Sequence, residues 1–135
     1  MVEGVPQTSE VNLLASQGCW AWPRAVTELF EPRGVNLIVV DNPTQFIQVL
    51  RQKRVHATIV DADAGLAQLA ALRAVRTDYP RVPCLVLASE CGQEMMDHAL
   101  GMDVFSVIHK PVDMHIFRQQ LDRLFVKRYS SHVFS

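Results

Sequence analysis

Residues 57–61 read Ala-Thr-Ile-Val-Asp, a short apolar run that ends in an aspartate. Residues 105–110 read Phe-Ser-Val-Ile-His-Lys, a second apolar run, and this one has a basic end. Short runs rich in β-branched and aromatic residues predict buried β-strands. The sequence therefore places two ionisable side chains, Asp61 and Lys110, directly after two predicted strands.

The rest of the chain alternates apolar runs with stretches of helical period. Further strands are predicted at residues 11–15, 35–40 and 84–88. The run VNLIVV at 35–40 is continuously apolar after its asparagine, which predicts a strand buried on both faces. Five helices are predicted: one from Pro23, one from Pro43, one over residues 65–78, a short one near 94–100 and a last one capped by Asp113.

This order repeats a strand and a helix five times. Strands that alternate with helices predict an α/β protein, built on a five-stranded, doubly wound parallel sheet with helices on both faces. We expect one domain over residues 10–128, with an N-terminal extension at 1–9 and a C-terminal tail at 129–135.

Composition narrows the classes of function. The chain has 135 residues, of which 49% are hydrophobic and 20% charged, as in an ordinary globular domain. Its formal net charge of −1 gives no global electrostatic reason to bind nucleic acid or an anionic membrane. No apolar run approaches the ~20 residues that span a bilayer. The three cysteines lack metal-ligand spacing, so we expect unpaired thiols in a reducing cytoplasm, with Cys84 buried.

The strand-terminal residues are the candidates for a site, because ligands of parallel sheets bind beyond the carboxyl ends of the strands. A carboxylate such as Asp61 can attack a phosphoryl group and form an aspartyl phosphate. A lysine such as Lys110 can neutralise charge on the transferred group. Simpler interpretations remain open: Asp61 caps the following loop or helix, and Lys110 is solvated or forms a structural ion pair with Asp61.

Two motifs make the chain resemble the CheY-like receiver domains of two-component response regulators. The more specific one is Lys110-Pro111-Val112 after the fifth strand, and the other is the segment at 58–61 that ends in Asp61. The lysine follows the aspartate by 49 positions. The resemblance covers roughly residues 12–126. It implies that Asp61 occupies the phosphoacceptor position and Lys110 the position that senses the phosphoryl group.

The metal ligands depart from the family pattern. Receiver domains end the first strand in two adjacent acids that hold Mg²⁺, whereas this chain has Ala15-Ser16 there. Asp41 ends the second strand and does not replace them by register. Mg²⁺ would then rest on Asp61, with Asp63 at the position that gives a backbone carbonyl to the metal in the family.

The hydroxyl that contacts the phosphoryl group also departs from the pattern. The family places Ser or Thr at the end of the fourth strand, and Ala88 stands there. Ser89, one residue later, is the candidate for a displaced hydroxyl. Neighbouring residues of a strand point to opposite faces, so the two positions are not equivalent.

The resemblance implies two alternative functions in phosphorelay signal transduction. The first is an atypical pseudo-receiver: a non-enzymatic protein-interaction module that needs no cofactor. The alternative is a working phosphoacceptor, phosphorylated on Asp61 by a histidine kinase with the help of Mg²⁺. A weaker third class, a small flavodoxin-like enzyme or cofactor binder, lacks a Gly-rich phosphate loop and a Ser-His-Asp or Cys-His set.

The resemblance also implies protein partners. A histidine kinase, a phosphotransferase or an output protein would dock on the face made by the fourth helix, the fifth strand and the last helix. A homodimer would form there too. This face is predicted to include Met95, His98, Phe105, Ile108 and Phe117.

Overall fold

The computed structural model describes residues 11–16, 24–61, 66–89, 101 and 103–135. The strands are β1 (Val11–Ser16), β2 (Val35–Val40), β3 (Ala57–Asp61), β4 (Cys84–Ala88) and β5 (Ser106–His109). The helices are α1 (Arg24–Phe30), α2 (Pro43–Gln52), α3 (Leu66–Asp78) and the C-terminal helix (Met114–Tyr129), with a 3-10 turn at Glu31–Arg33. The short helix predicted near residues 94–100 lies outside the described residues.

The five strands form one sheet in the order β2-β1-β3-β4-β5. Every neighbouring pair is parallel. The predicted doubly wound α/β architecture is therefore confirmed. This order places the carboxyl ends of β1, β3 and β4 next to one another in the middle of the sheet. The residues that end these strands therefore lie close together.

A separate apolar layer covers each face of the sheet. On one face, α1 and the C-terminal helix bury an apolar stripe that includes Val26, Phe30, Phe117, Leu121 and Leu124. On the other face, α2 and α3 bury Phe46, Leu50, Leu72 and Val75. Each layer removes apolar surface from water, which is the main favourable term in folding. Cys84 is 0% exposed in the second layer, as its apolar run predicts.

The prediction that β2 is buried on both faces is wrong. β2 is an edge strand, with Asn36 exposed and the Val39 side chain 39% exposed. Only its end residues, Val35 and Val40, are buried. A run of β-branched residues suits any half-buried pleated surface, so composition alone did not distinguish an edge strand from a central one.

Two helices begin at the predicted caps. The Asn42 side chain accepts a hydrogen bond from the Gln45 N–H at 2.9 Å, ahead of Pro43. Asp113 accepts from the His115 N–H at 2.8 Å and from the Ile116 N–H at 3.3 Å. Both caps satisfy amide groups that have no partner inside the helix.

The chain reverses after the C-terminal helix and packs against it. Ser130 adopts a left-handed conformation with φ of 52°, and its N–H donates to carbonyls of the last helical turn. Phe134 is 0% exposed, and its ring centroid lies 5.7 Å from that of Phe30 and 5.1 Å from that of Phe125. Residues 130–135 thus contribute to the core, while the predicted domain boundaries stay a prediction.

Candidate functional site

Asp61 lies at the carboxyl end of the central strand β3. Asp61 pairs with Leu87 of β4, and its side chain is 0% exposed. The preceding four residues of the strand are also buried. An ionised carboxylate in such surroundings is costly unless opposite charge or hydrogen bonds compensate for the lost water.

Lys110 supplies the opposite charge. Its Nζ lies 2.6 Å from Oδ2 of Asp61, and its side chain is 10% exposed. The backbone N–H of Lys110 donates to the Ala88 carbonyl at 2.8 Å, which holds Lys110 beside the end of β4. The peptide bond between Lys110 and Pro111 is cis. The structure thus brings together the two side chains that the sequence singled out, as a short, buried ion pair.

Ser16, at the end of strand β1, also contacts Asp61. The Asp61 backbone N–H donates to the Ser16 Oγ at 3.1 Å, and Ser16 is 3% exposed. Sequence reasoning treated Ser16 only as a residue that lacks a carboxylate. Its role could have been predicted from the sequence, because a buried polar side chain at the end of an apolar strand needs a hydrogen-bond partner.

The described residues do not fit an Mg²⁺ ion. Protein sites for Mg²⁺ use carboxylates, waters and phosphate oxygens in octahedral geometry. Beside Asp61 stand the Ser16 hydroxyl and a lysine ammonium, which already occupies one carboxylate oxygen. Asp41 follows β2, two strands away, and is exposed. In the described part of the chain, no three His, Cys, Asp or Glu side chains are placed to share a metal.

The remaining predicted site residues are placed as follows. Ala88 ends β4 and is 1% exposed, whereas Ser89 is exposed one residue beyond the strand. Asp63 lies outside the described residues. The roles of Ser89 as a hydroxyl donor and of Asp63 as a metal ligand stay predictions.

The predicted interaction face needs correction. Ile108 is 4% exposed and Phe117 is 0% exposed, so both belong to the core rather than to a surface. Phe105 is half-buried against the same core layer. Met95 and His98 lie outside the described residues. Phe117 is buried because it belongs to the apolar stripe of the C-terminal helix that faces the sheet. Apolar residues recur every three to four positions along this stripe.

A groove of about 900 Å³ lies instead between β5 and the C-terminal helix. The helix lines it with a stripe at i, i+4, i+7 and i+11: Ile116, Gln120, Arg123 and Lys127. Sequence reasoning missed this stripe, although its spacing marks one face of a helix next to the apolar face.

Among the described residues, no helix combines the length and apolar character needed to cross a membrane.

Solved structures of the same architecture are numerous, whereas no protein-family model and no curated protein sequence matches the chain. The signal receiver domain of an HD domain-containing protein from Pseudomonas fluorescens Pf-5 has 17% identity and a TM-score of 0.78, covering 90% of this chain and 99% of that one. A response regulator from Thermotoga maritima has 18% identity and a TM-score of 0.75, covering 85% and 97%.

The chemotaxis response regulator CheY4 of Vibrio cholerae has 17% identity and a TM-score of 0.72, covering 86% of this chain and 99% of that one. In each comparison nearly the whole of the other chain is matched. The chain therefore has the CheY-like fold of response-regulator receiver domains.

Proposed function

We propose that this chain is a pseudo-receiver: a receiver-fold module that acts in two-component signalling through protein contacts and not through phosphoryl transfer to Asp61. The carrying observation is that Ser16, and not a carboxylate, lies beside the buried Asp61 at the end of β1, so the described site pairs Asp61 with Lys110 and offers no second acid from that strand. A nucleophilic carboxylate must meet both a phosphoryl donor and the charge that stabilises the transferred group. Here the Lys110 ammonium already contacts one oxygen of that carboxylate, Oδ2.

The composition of the site supports the same proposal. Ser16 stands at an acid position of the receiver pattern, and its hydroxyl accepts the Asp61 N–H at 3.1 Å. A hydroxyl that accepts from the backbone holds the end of β3 in place without adding a negative charge. Ala88 supplies no hydroxyl at the end of β4. Ser16 and Ala88 thus support the fold around Asp61 but supply neither the acid nor the hydroxyl that phosphoryl transfer uses in the receiver pattern.

The solved structures support a signalling role at the level of the fold. The Pseudomonas fluorescens neighbour is described as a signal receiver domain, and the Vibrio cholerae neighbour as a chemotaxis response regulator. By analogy, this chain would work in the cytoplasm, without a cofactor, and bind a kinase, a phosphotransferase or an output protein. Its docking face would be the groove between β5 and the C-terminal helix.

Titration with Mg²⁺ tests the proposal at the site itself. We expect millimolar Mg²⁺ to leave the amide NMR signals of Ser16, Asp61 and Lys110 unchanged in the wild-type protein. The Ser16→Asp variant is the matched control. A second carboxylate beside Asp61 exceeds the charge of Lys110, so Mg²⁺ should bind this variant and raise its thermal midpoint. A saturable millimolar response of the wild-type signals would contradict the proposal.

The partner side of the proposal has a separate test. A pseudo-receiver does not use the charge of Asp61 for recognition, so Asp61→Asn should bind the partner as tightly as the wild type. Pull-down from a lysate followed by titration with the purified partner measures this. A tenfold or larger loss of affinity in Asp61→Asn, about 1.4 kcal/mol, would tie recognition to the site and contradict the proposal.

A working phosphoacceptor is the second candidate. It is favoured by one observation: Asp61 and Lys110 are both retained and in contact at the carboxyl edge of the sheet. In this case the lysine must release Asp61 when a phosphoryl group arrives and then bind the new phosphoryl oxygens. This function requires an acyl phosphate on Asp61, which the pseudo-receiver does not form.

A further inference from the structure

His56 lies at the amino edge of the sheet, directly before β3 and at the opposite end of that strand from Asp61. Among the described histidines, His56 alone is buried. Its ring packs against two rings of the C-terminal helix, with centroid distances of 6.4 Å to Phe125 and 5.3 Å to Tyr129. A ring that can gain a proton near neutral pH is therefore enclosed within the fold.

The hydrogen bond at the His56 ring fixes its protonation state. The backbone N–H of Asn12 donates to Nδ1 of His56, with 3.2 Å between the two nitrogens. A backbone amide nitrogen can only donate, so Nδ1 must carry a lone pair and the ring hydrogen must lie on Nε2. The folded chain therefore requires the neutral ring, in the tautomer with hydrogen on Nε2.

His56 also joins three parts of the fold through its backbone. Its N–H donates to the Asn12 carbonyl at 2.8 Å, which ties it to β1. Its carbonyl accepts from the Tyr129 hydroxyl at 2.5 Å, which ties it to the C-terminal helix. The Asn12 side chain extends the network, because it donates to the Arg54 carbonyl at 2.9 Å and accepts from Asn36 of β2 at 3.1 Å. A neutral ring thus stands where β1, β3 and the C-terminal helix meet.

The charged groups described near this ring also oppose a second proton. Burial raises the pKa of Tyr129, and the nearby positive charges of Arg54 and Arg128 oppose that rise, so both guanidinium groups lie close to this end of the core. The two asparagines that β1 and β2 supply are neutral. Glu10 precedes β1 in the sequence and lies outside the described residues. Burial and positive neighbours both disfavour an additional positive charge on the ring.

We propose that His56 is an acid-sensitive latch, whose neutral ring holds β1, β3 and the C-terminal helix together and whose protonation at Nδ1 releases them. A proton on Nδ1 would point at the Asn12 N–H across 3.2 Å, so the two groups must separate. Tyr129 contacts the same residue, so the end of the C-terminal helix loosens with it. The latch does not involve the ion pair of Asp61 and Lys110, which lies at the other edge of the sheet.

The direction of the acid response follows from proton binding. A histidine of the unfolded chain takes up its proton near pH ~6.5. The folded chain takes up the same proton only at lower pH, so the unfolded state holds more protons below about pH 6.5 and stability falls as the pH falls. One proton lowers the ratio of folded to unfolded protein by up to about tenfold for each pH unit.

NMR of the full chain tests the state of the ring. At neutral pH we expect nitrogen and carbon shifts of His56 that are typical of a neutral ring with hydrogen on Nε2. The Asn12 N–H should exchange slowly at neutral pH and faster in acid, once the intrinsic pH dependence of exchange is removed. A protonated ring at neutral pH, or a ring hydrogen on Nδ1, would overturn the inference.

Urea unfolding from about pH 8 to about pH 5 tests the acid response. His56→Asn is the matched variant, because its side-chain oxygen can accept the Asn12 N–H but gains no proton in this range. The acid slope of stability should be shallower in this variant, whatever its absolute stability. The exposed His132 provides the control, and His132→Asn should keep the wild-type slope. Circular dichroism establishes that each variant is folded.

Equal acid slopes in the wild type and His56→Asn would contradict the latch. Glu10→Gln should keep the wild-type slope, since the inference assigns that slope to the ring and not to a carboxylate next to β1. Loss of the slope in Glu10→Gln would therefore contradict the latch as well. These measurements involve neither Mg²⁺ nor Asp61, so their failure leaves the proposed function untouched, and an Mg²⁺ site at Asp61 leaves the latch untouched.

Discussion

At the scale of single residues, Asp61 shows how a buried charge is accommodated. Its side chain has no exposure, and the Lys110 ammonium lies 2.6 Å from its Oδ2. A buried ion pair gains little over a well-packed apolar pair, because both ions lose their hydration. Loss of one partner is different, since it leaves the other charge buried without compensation.

Substitution of Lys110 should reveal this asymmetry. We expect Lys110→Met to lower the free energy of unfolding by about 3–5 kcal/mol, because Asp61 then remains buried without its counter-ion. The double variant Asp61→Asn with Lys110→Met should recover much of the loss, since no uncompensated charge remains. Urea unfolding at neutral pH measures both.

The exposed Lys53 provides the control, and Lys53→Met should change stability by no more than about 0.5 kcal/mol. If the single and double variants at the site lose the same stability, Asp61 and Lys110 are not coupled in the way that the geometry indicates.

Cys84 shows how burial acts on a neutral group. Loss of hydration raises the pKa of its thiol from 9.0 to about 11, against smaller lowering effects of a hydrogen bond with Thr58 and of the charge of Arg76. Since the thiolate is the reactive form, the buried thiol should not react with alkylating reagents at neutral pH.

Burial of Cys84 also predicts an alkaline loss of stability. Its pKa is higher in the folded state, so its contribution is fully present below the unfolded value near 9 and is lost as the pH rises towards about 11. The loss is roughly 2 kcal/mol. Burial also raises the pKa of Tyr129, which adds to the same slope.

Comparison of urea unfolding between pH 8 and 11 in wild type and Cys84→Ala measures the thiol part alone, and we expect a shallower slope in the variant. An unchanged slope would mean that the thiol does not titrate differently in the folded and unfolded states.

At the scale of elements, the sequence predicted the starts of helices correctly where a side chain caps the amides next to it. Asn42 and Asp113 cap their helices because each side chain reaches amides two or three residues ahead. The exposure of β2 could not be predicted from its own residues, because it depends on which strands become its neighbours in the sheet. The stripe from Ile116 to Lys127 could be predicted from helical spacing, but the groove that it lines depends on where β5 lies in the sheet.

The burial of residues 130–135 was the hardest feature to predict, because their apolar residues follow neither a helical nor a strand spacing. Their burial follows from the reversal at Ser130 and from the aromatic contacts of Phe134 with Phe30 and Phe125. The same end of the core includes Tyr129, whose hydroxyl donates to the His56 carbonyl at 2.5 Å. These contacts join the end of the chain to α1 and to the start of β3.

Truncation of Phe134 should therefore behave as a core substitution. We expect Phe134→Ala to lower the free energy of unfolding by about 3–5 kcal/mol, through lost apolar burial and the cavity left behind. The exposed neighbour His132 is the matched control, and His132→Ala should have little effect. Chemical unfolding checks both. Equal, small effects would mean that residues 130–135 do not pack on the domain in solution.

At the scale of the whole molecule, the fold was predictable because repeated strand and helix signals agree with one another. The pair Asp61 and Lys110 was predictable because parallel strands bring their carboxyl ends to one edge of the sheet. The geometry that decides the chemistry was not predictable. Neither the 2.6 Å closure of the pair nor the hydrogen bond from the Asp61 N–H to Ser16 can be read from residue types alone.

The central claim is that Asp61 serves as half of a structural ion pair and accepts no phosphoryl group. Incubation of the intact protein with acetyl phosphate or phosphoramidate and Mg²⁺, followed by intact-mass spectrometry under conditions that preserve acyl phosphates, tests it most directly. A phosphorylatable receiver domain serves as the positive control. We expect no mass increase in the wild-type chain. A gain of one phosphoryl group that is absent in Asp61→Asn would contradict the claim and establish the chain as a working phosphoacceptor.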